Sequence, residues 1–134
     1  MNKLSGTITN IQQSGAIILA DVKVYGRQIS AMLIHSNEQD EWLNVGSHVM
    51  VVFKETEVSI AKGLLGKISL RNRFQCLIED IRKGELLSEI SLKYGLYNIT
   101  SVITTRAVES LELKVGEQVE ALVKANEVSL MKIN

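Results

Sequence analysis

Residues 43–54 read LNVGSHVMVVFK, and residues 113–124 read LKVGEQVEALVK. The shared positions are apolar residues, a turn glycine and one lysine. Outward from this stretch the same spacing of 70 holds without a gap. Ile8 matches Ile78, Ile11 matches Ile81, Lys23 matches Lys93 and Ile29 matches Ile99. Glu57-Val58-Ser59 matches Glu127-Val128-Ser129, and Lys62 matches Lys132. A gapless register of this length marks an internal duplication, one small fold built twice. The join falls at Gly63-Leu64-Leu65-Gly66-Lys67, where two glycines punctuate the chain, so the units are residues 1–63 and 67–134.

Each unit reads as strands. Leu4, Gly6, Ile8 and Asn10 alternate with Ser5, Thr7, Thr9 and Ile11, and the β-rich run Ala16–Tyr25 follows. Gly26-Arg27 suits a hairpin turn into a strand over Gln28–Ile34. Ser36-Asn37-Glu38-Gln39 fits a capping box and predicts a short helix through about Leu43. Strands over His48–Lys54 and Glu57–Lys62 complete the unit. The second unit repeats the order: Phe74–Arg82, Glu85–Tyr94, Tyr97–Thr104, a helix over Thr105–Leu111, then Gln118–Lys124 and Glu127–Ile133. Five short strands and one short helix predict an all-β fold, two tandem OB-like five-stranded barrels. Units this small bury little core alone, so pairing within the chain, and between chains, is expected.

Composition narrows the function. Fifteen Lys plus Arg balance fifteen Asp plus Glu, without the basic excess of a nucleic-acid binder. Aromatic residues make up only 4%, too few for a base-stacking surface. A single cysteine, Cys76, excludes an intramolecular disulfide and fits a reducing compartment; buried and inert is the expected state for a strand cysteine. The start, MNKLSGTITN, lacks a signal-peptide apolar core, and the apolar run Ala16–Ala20 is too short to span a bilayer. A soluble cytoplasmic protein is expected.

No catalytic set stands out. His35 and His48 have no neighbour at metal-ligand spacing, and neither a phosphate-binding GxxxxGK[ST] loop nor a GxSxG elbow occurs. With no nucleophile–base pair visible, an enzyme is not expected. What does stand out is a difference between the copies. Ser69-Leu70-Arg71-Asn72-Arg73 precedes the second copy, where the first copy's counterpart runs off the chain start and leaves Met1-Asn2. Thr104-Thr105-Arg106 stands where the first copy has Ile34-His35-Ser36, and Lys124-Ala125-Asn126 where it has Lys54-Glu55-Thr56. Each difference gives the second copy hydroxyls or cations and the first copy fewer of them, or a carboxylate. An anion site in copy two with a degenerate twin in copy one accounts for all three.

The pieces SLRN (69–72), ITT (103–105) and VKAN (123–126), with the repeat around them, resemble the molybdenum-pterin-binding (Mop) family, also called TOBE domains. Residues 67–133 carry these motifs, whereas residues 3–62 carry the frame without them. The tandem form is similar to di-Mop proteins and to the sensor half of molybdate-responsive regulators. The resemblance implies a bare molybdate or tungstate ion held between subunits of a homo-oligomer. It implies donors from Ser69, the Leu70 amide, Arg71, Thr104, Ala107, Lys124 and Ala125. The chemistry suits the ion, a dianion with four acceptor oxygens and nothing to donate. Lys124 offers a point charge, Arg71 a planar fork, and hydroxyls and amides short neutral donors. Two departures are visible: Ala107 stands where the family has a loop serine, and Leu70 where it has alanine. Fewer or weaker sites are expected than in a full di-Mop protein.

Plainer readings stand beside these. Arg71 and Lys124 can be solvated strand-end charges, Asn72 a turn-fixing side chain, Trp42 an apolar plug and Lys54 a surface lysine beside Glu55. The expected function is non-covalent oxyanion binding for molybdenum storage, homeostasis or, with a DNA-binding domain ahead of this segment, sensing. The alternative is a TOBE-type regulatory or oligomerisation module of a transporter or regulator, without ligand. An OB-type nucleic-acid binder ranks third.

Overall fold

The computed structural model describes residues 1–34 and 41–133. The first copy supplies β1 (Asn2–Ser14), β2 (Ile17–Val24), β3 (Arg27–Ile34), β4 (His48–Phe53) and β5 (Ser59–Ala61). The second supplies β6 (Asn72–Lys83), β7 (Leu87–Tyr94), β8 (Tyr97–Thr104), the helix α1 (Thr105–Ser110), β9 (Gln118–Val123) and β10 (Ser129–Lys132). Every predicted strand is present. The capping box at Ser36–Gln39, and with it the first copy's predicted helix up to Asp40, lies outside the described residues.

The strands form two curled five-stranded sheets, each all antiparallel, ordered β10-β4-β1-β2-β3 and β5-β9-β6-β7-β8. The long first strand of each copy carries an irregularity at the same place, between Ile8 and Asn10 and between Ile78 and Asp80. An extra residue there bends the strand and strengthens its twist, which curls each sheet into half a barrel.

The last strands are exchanged. β5 pairs with β9 of the second copy, and β10 pairs with β4 of the first. Alternation in sequence marks a strand but not which sheet receives it, so the exchange is not readable from the pattern. The crossing is made by two short 3-10 turns, Glu55–Glu57 and Ala125–Glu127, and is anchored by Val58 and Val128, 1% and 2% exposed. Full burial of a valine contributes about 1.5–3 kcal/mol, enough to seat a strand this short. Beyond β5, Lys62 reaches the end of α1: its Nζ donates to the Leu111 and Glu112 carbonyls at 3.1 and 3.0 Å and pairs with Glu117 at 2.8 Å.

A single hydrophobic core serves both halves. Phe53 of one half stacks on Phe74 of the other with centroids 6.0 Å apart, and Phe74 meets Tyr94 edge-on at 5.1 Å. The Tyr94 hydroxyl donates across the halves to the Val24 carbonyl at 2.9 Å. The hairpin tips meet there too: a Cβ on Gly95 (φ +58°) would lie 2.4 Å from the Tyr25 ring, so only glycine fits. Trp42 packs against the core as expected. Among the described residues no helix is long and apolar enough to cross a membrane.

Candidate functional site

Asn72 opposes Val123 in the β6–β9 ladder. The residues just before β6, Ser69–Arg71, therefore run beside the residues just after β9, Lys124 and Ala125. Register alone brings Ser69, Leu70, Arg71, Lys124 and Ala125 to one end of the second sheet and sets Arg71 level with Lys124. Ser69, Arg71 and Lys124 are exposed, whereas Leu70 and Ala125 are half-buried. No carboxylate among the described residues pairs with Arg71 or Lys124. The neighbouring cation differs: Arg73 makes a two-pronged ion pair with Glu120, both contacts 2.7 Å. That pair holds the Glu120 carboxyl below the usual carboxylate range.

Asn72 is structural, though not in the way a turn residue would be. It is 1% exposed; its Nδ2 donates to the Ser30 carbonyl at 2.9 Å, and the Ser30 N–H donates to its Oδ1 at 2.7 Å. Its twin Asn2 does the same with Thr100, at 2.9 and 2.8 Å. The asparagine of the SLRN motif thus fastens one copy to the edge strand of the other and persists in both. The arginine of the motif, Arg71, has Met1 as its first-copy counterpart. One four-residue motif therefore divides into a part that holds the fold and a part left over for other work.

Thr104 and Ala107 lie elsewhere. Thr104 caps α1 from an extended backbone, and its Oγ1 accepts from the Ala107 N–H at 3.1 Å. That bond commits the Ala107 amide, while the Thr104 hydroxyl hydrogen remains able to donate outward. Thr104 opposes Leu87, next to Ser88, which opposes Lys83 at the far end of β6 from Asn72. At about 3.3 Å per residue, the strand between these two ends is roughly 36 Å long. The predicted residues thus form two groups at opposite ends of one sheet.

The strand exchange decides what each group faces. The turn Ala125–Glu127 packs on β3, which ends in Ile34, the first copy's counterpart of Thr104. The turn Glu55–Glu57, the counterpart of the Lys124–Ala125 end, packs on β8, which ends in Thr104. Glu55 is a carboxylate and pairs with the Met1 ammonium. Within one chain, the turn that follows Lys124 thus packs on the strand that ends in Ile34, and the turn that carries Glu55 packs on the strand that ends in Thr104.

Sequence reasoning overlooked Ser88, and it named Thr105 only within the stretch Thr104-Thr105-Arg106; both are buried hydroxyls behind Thr104. A signal was present: Ser88 sits in an apolar alternation where the first copy has Ile18. Cys76 is buried, and burial pushes its thiol up to about 12, so it is inert as expected. Among the described residues no group of three or more His, Cys, Asp or Glu is placed to hold a metal ion.

The TOBE domain model matches residues 68–130. The chain is 32% identical over 65 residues to molybdenum-pterin-binding protein 1 of Clostridium pasteurianum, covering 96% of that protein and 48% of this chain. The chain belongs to the molybdenum-pterin-binding family of TOBE domains. A second relative is the molybdenum import ATP-binding protein ModC of Brucella abortus, 34% identical over 87 residues, 64% of this chain. The chain spans only 24% of that relative's length. The whole Mop chain also superposes on a crystal structure of the cytoplasmic molybdate-binding protein ModG with molybdate bound. The TM-score is 0.92 at 25% identity, covering 98% of this chain and 96% of that one. The likeness over both copies carries the fold, an all-β OB-like tandem.

Proposed function

We propose that this chain binds molybdate or tungstate non-covalently, between copies of itself, as an intracellular store or sensor of the oxyanion, and does no chemistry on it. The observation that carries the reading is the whole-chain likeness to a protein with molybdate bound. The arrangement of donors supports it. Arg71 and Lys124 are neighbours in register, neither paired with a carboxylate among the described residues, with Ser69, Leu70 and Ala125 adjoining them. Such a group offers charge and several convergent donors to an ion that can only accept.

That group is half a site. Thr104, with its outward hydroxyl, stands at the other end of the sheet, and the Ala107 amide that would accompany it is already bonded. In this reading the Thr104 end of one chain meets the Lys124 end of another. Because the two ends are different surfaces, the contact is head-to-tail, and a closed ring of chains satisfies it. The first copy, with Ile34 and Glu55 at the matching positions, contributes frame rather than ligand groups.

Thermal melting of the full chain with molybdate, tungstate, sulfate or phosphate tests the reading. A ligand that binds only the folded state at about a hundred times its Kd adds about 2.7 kcal/mol. Molybdate and tungstate raise the midpoint, sulfate at equal concentration does not, and Lys124→Ala removes the effect. No rise with either ion at millimolar excess refutes oxyanion binding.

A further inference from the structure

We propose that Ser88 and Thr105 are positioning residues of the oxyanion site, a buried hydroxyl pair that fixes where Thr104 points. This inference rests on the reading of Thr104 as a ligand group. Ser88 is 1% exposed and Thr105 8%. Their hydroxyl oxygens lie 2.8 Å apart, and the Thr105 hydroxyl donates to the Gly84 carbonyl at 2.9 Å. Thr105 has one hydroxyl hydrogen and spends it on Gly84, so Ser88 donates to Thr105. The main chain repeats the tie: the Thr105 N–H donates to the Leu86 carbonyl at 2.8 Å, and the Gly84 N–H to the Leu87 carbonyl at 2.9 Å.

The residue after Thr104 is thus lashed to the turn between β6 and β7 by side chain and main chain together. The chain changes from extended to helical between Thr104 and Thr105. Helix ends fray unless something holds them. Here the tie at Thr105 keeps Thr104 at the cap, where its oxygen accepts from Ala107 and its hydrogen is left to face outward.

The contrast with the first copy separates this role from simple stability. The counterparts of Ser88 and Thr105 are Ile18 and His35, and Ile18 is an apolar side chain 4% exposed. Burying a hydroxyl costs free energy unless it is bonded, whereas burying isoleucine is favourable outright. The hydroxyl pair occurs only in the half that carries Thr104. In the other half the corresponding surface residue is Ile34.

Calorimetric titration of molybdate into the full-length chain tests the role, with wild type, Thr105→Val, Thr105→Ser, Ser88→Ala and Ser101→Ala. Ser101 is the control: it is fully buried in β8, the strand that ends at Thr104, and its hydroxyl donates to the Val58 carbonyl at 2.6 Å rather than to the Ser88–Thr105 pair. Thr105→Val weakens molybdate binding by about tenfold or more, the scale for groups that orient a ligand-binding side chain, while Thr105→Ser restores it. Ser88→Ala weakens it in the same direction. Ser101→Ala lowers the melting midpoint and leaves Kd unchanged. Because the pair acts through Thr104, Thr104→Ala with Thr105→Val binds no more weakly than Thr104→Ala alone. Wild type that binds, with Thr105→Val and Ser88→Ala binding equally well, overturns the positioning role and leaves the site standing. Wild type that does not bind overturns the site itself.

Discussion

Replacing Asn72 with alanine removes two hydrogen bonds between the halves and strands the groups they served. The Ser30 N–H and carbonyl lie at 2.7 and 2.9 Å from the Asn72 amide, a side chain 1% exposed. Each buried polar group left unsatisfied costs about 1–3 kcal/mol, so Asn72→Ala, which strands two, destabilises by about 2–6 kcal/mol. For a domain of this size 1 kcal/mol moves the midpoint by about 3–5 °C, which gives a fall of roughly 6–30 °C. Asn2→Ala, whose side chain makes the same two bonds to Thr100, produces a loss of the same order. The two sites share no partner, so the double variant loses about the sum. Urea unfolding followed by Trp42 fluorescence measures all three. A loss below about 1 kcal/mol for both single variants would refute the view that these asparagines clamp the halves.

Two further outcomes follow from charge and burial. Glu120 and Glu117 are held below the ordinary carboxylate range, first by side-chain bonds from Arg73 and Lys62 respectively. A depressed carboxylate contributes stability that is present above its unfolded-state value and lost as pH falls through the folded one. Stability therefore falls on acidification below about pH 4.5, and Glu120→Gln, already without that contribution at neutral pH, shows a shallower acid limb in pH-dependent melting. The Cys76 thiol, pushed up to about 12 by burial, resists alkylation at pH 8 in the folded protein and reacts fully in urea; fast labelling of native protein would contradict its burial.

Much of the fold was legible because a duplication states its own register: two copies of each apolar pattern fix strand positions better than one. The seating of the last strands was not, since Glu57–Lys62 alternates in the same way whichever sheet it joins. Asn72 was misassigned to a turn because its partner, Ser30, is 42 positions away and carries no side-chain signal of the contact. The difference between the copies pointed to the second as site-bearing, and register then brings Arg71 and Lys124 together. The distance from that group to Thr104 could not be read, because motif order along a chain does not reveal which end of a coiled sheet each motif occupies. The signal of Ser88 was available in the repeat itself, as a serine opposite a buried isoleucine.

In the proposed site Thr104 and Lys124 serve one ion from two different chains, and subunit mixing tests this most directly. Thr104→Ala and Lys124→Ala are prepared separately, each measured for molybdate binding by equilibrium dialysis, then mixed after mild dissociation and measured again. Thr104→Ala alone binds weakly and Lys124→Ala alone does not bind, and the mixture regains full-strength sites wherever an intact Thr104 end meets an intact Lys124 end, about a quarter of the contacts in a random head-to-tail ring. A mixture that binds no more than its components would place both residues in one chain's own site, or in none, and would contradict the account.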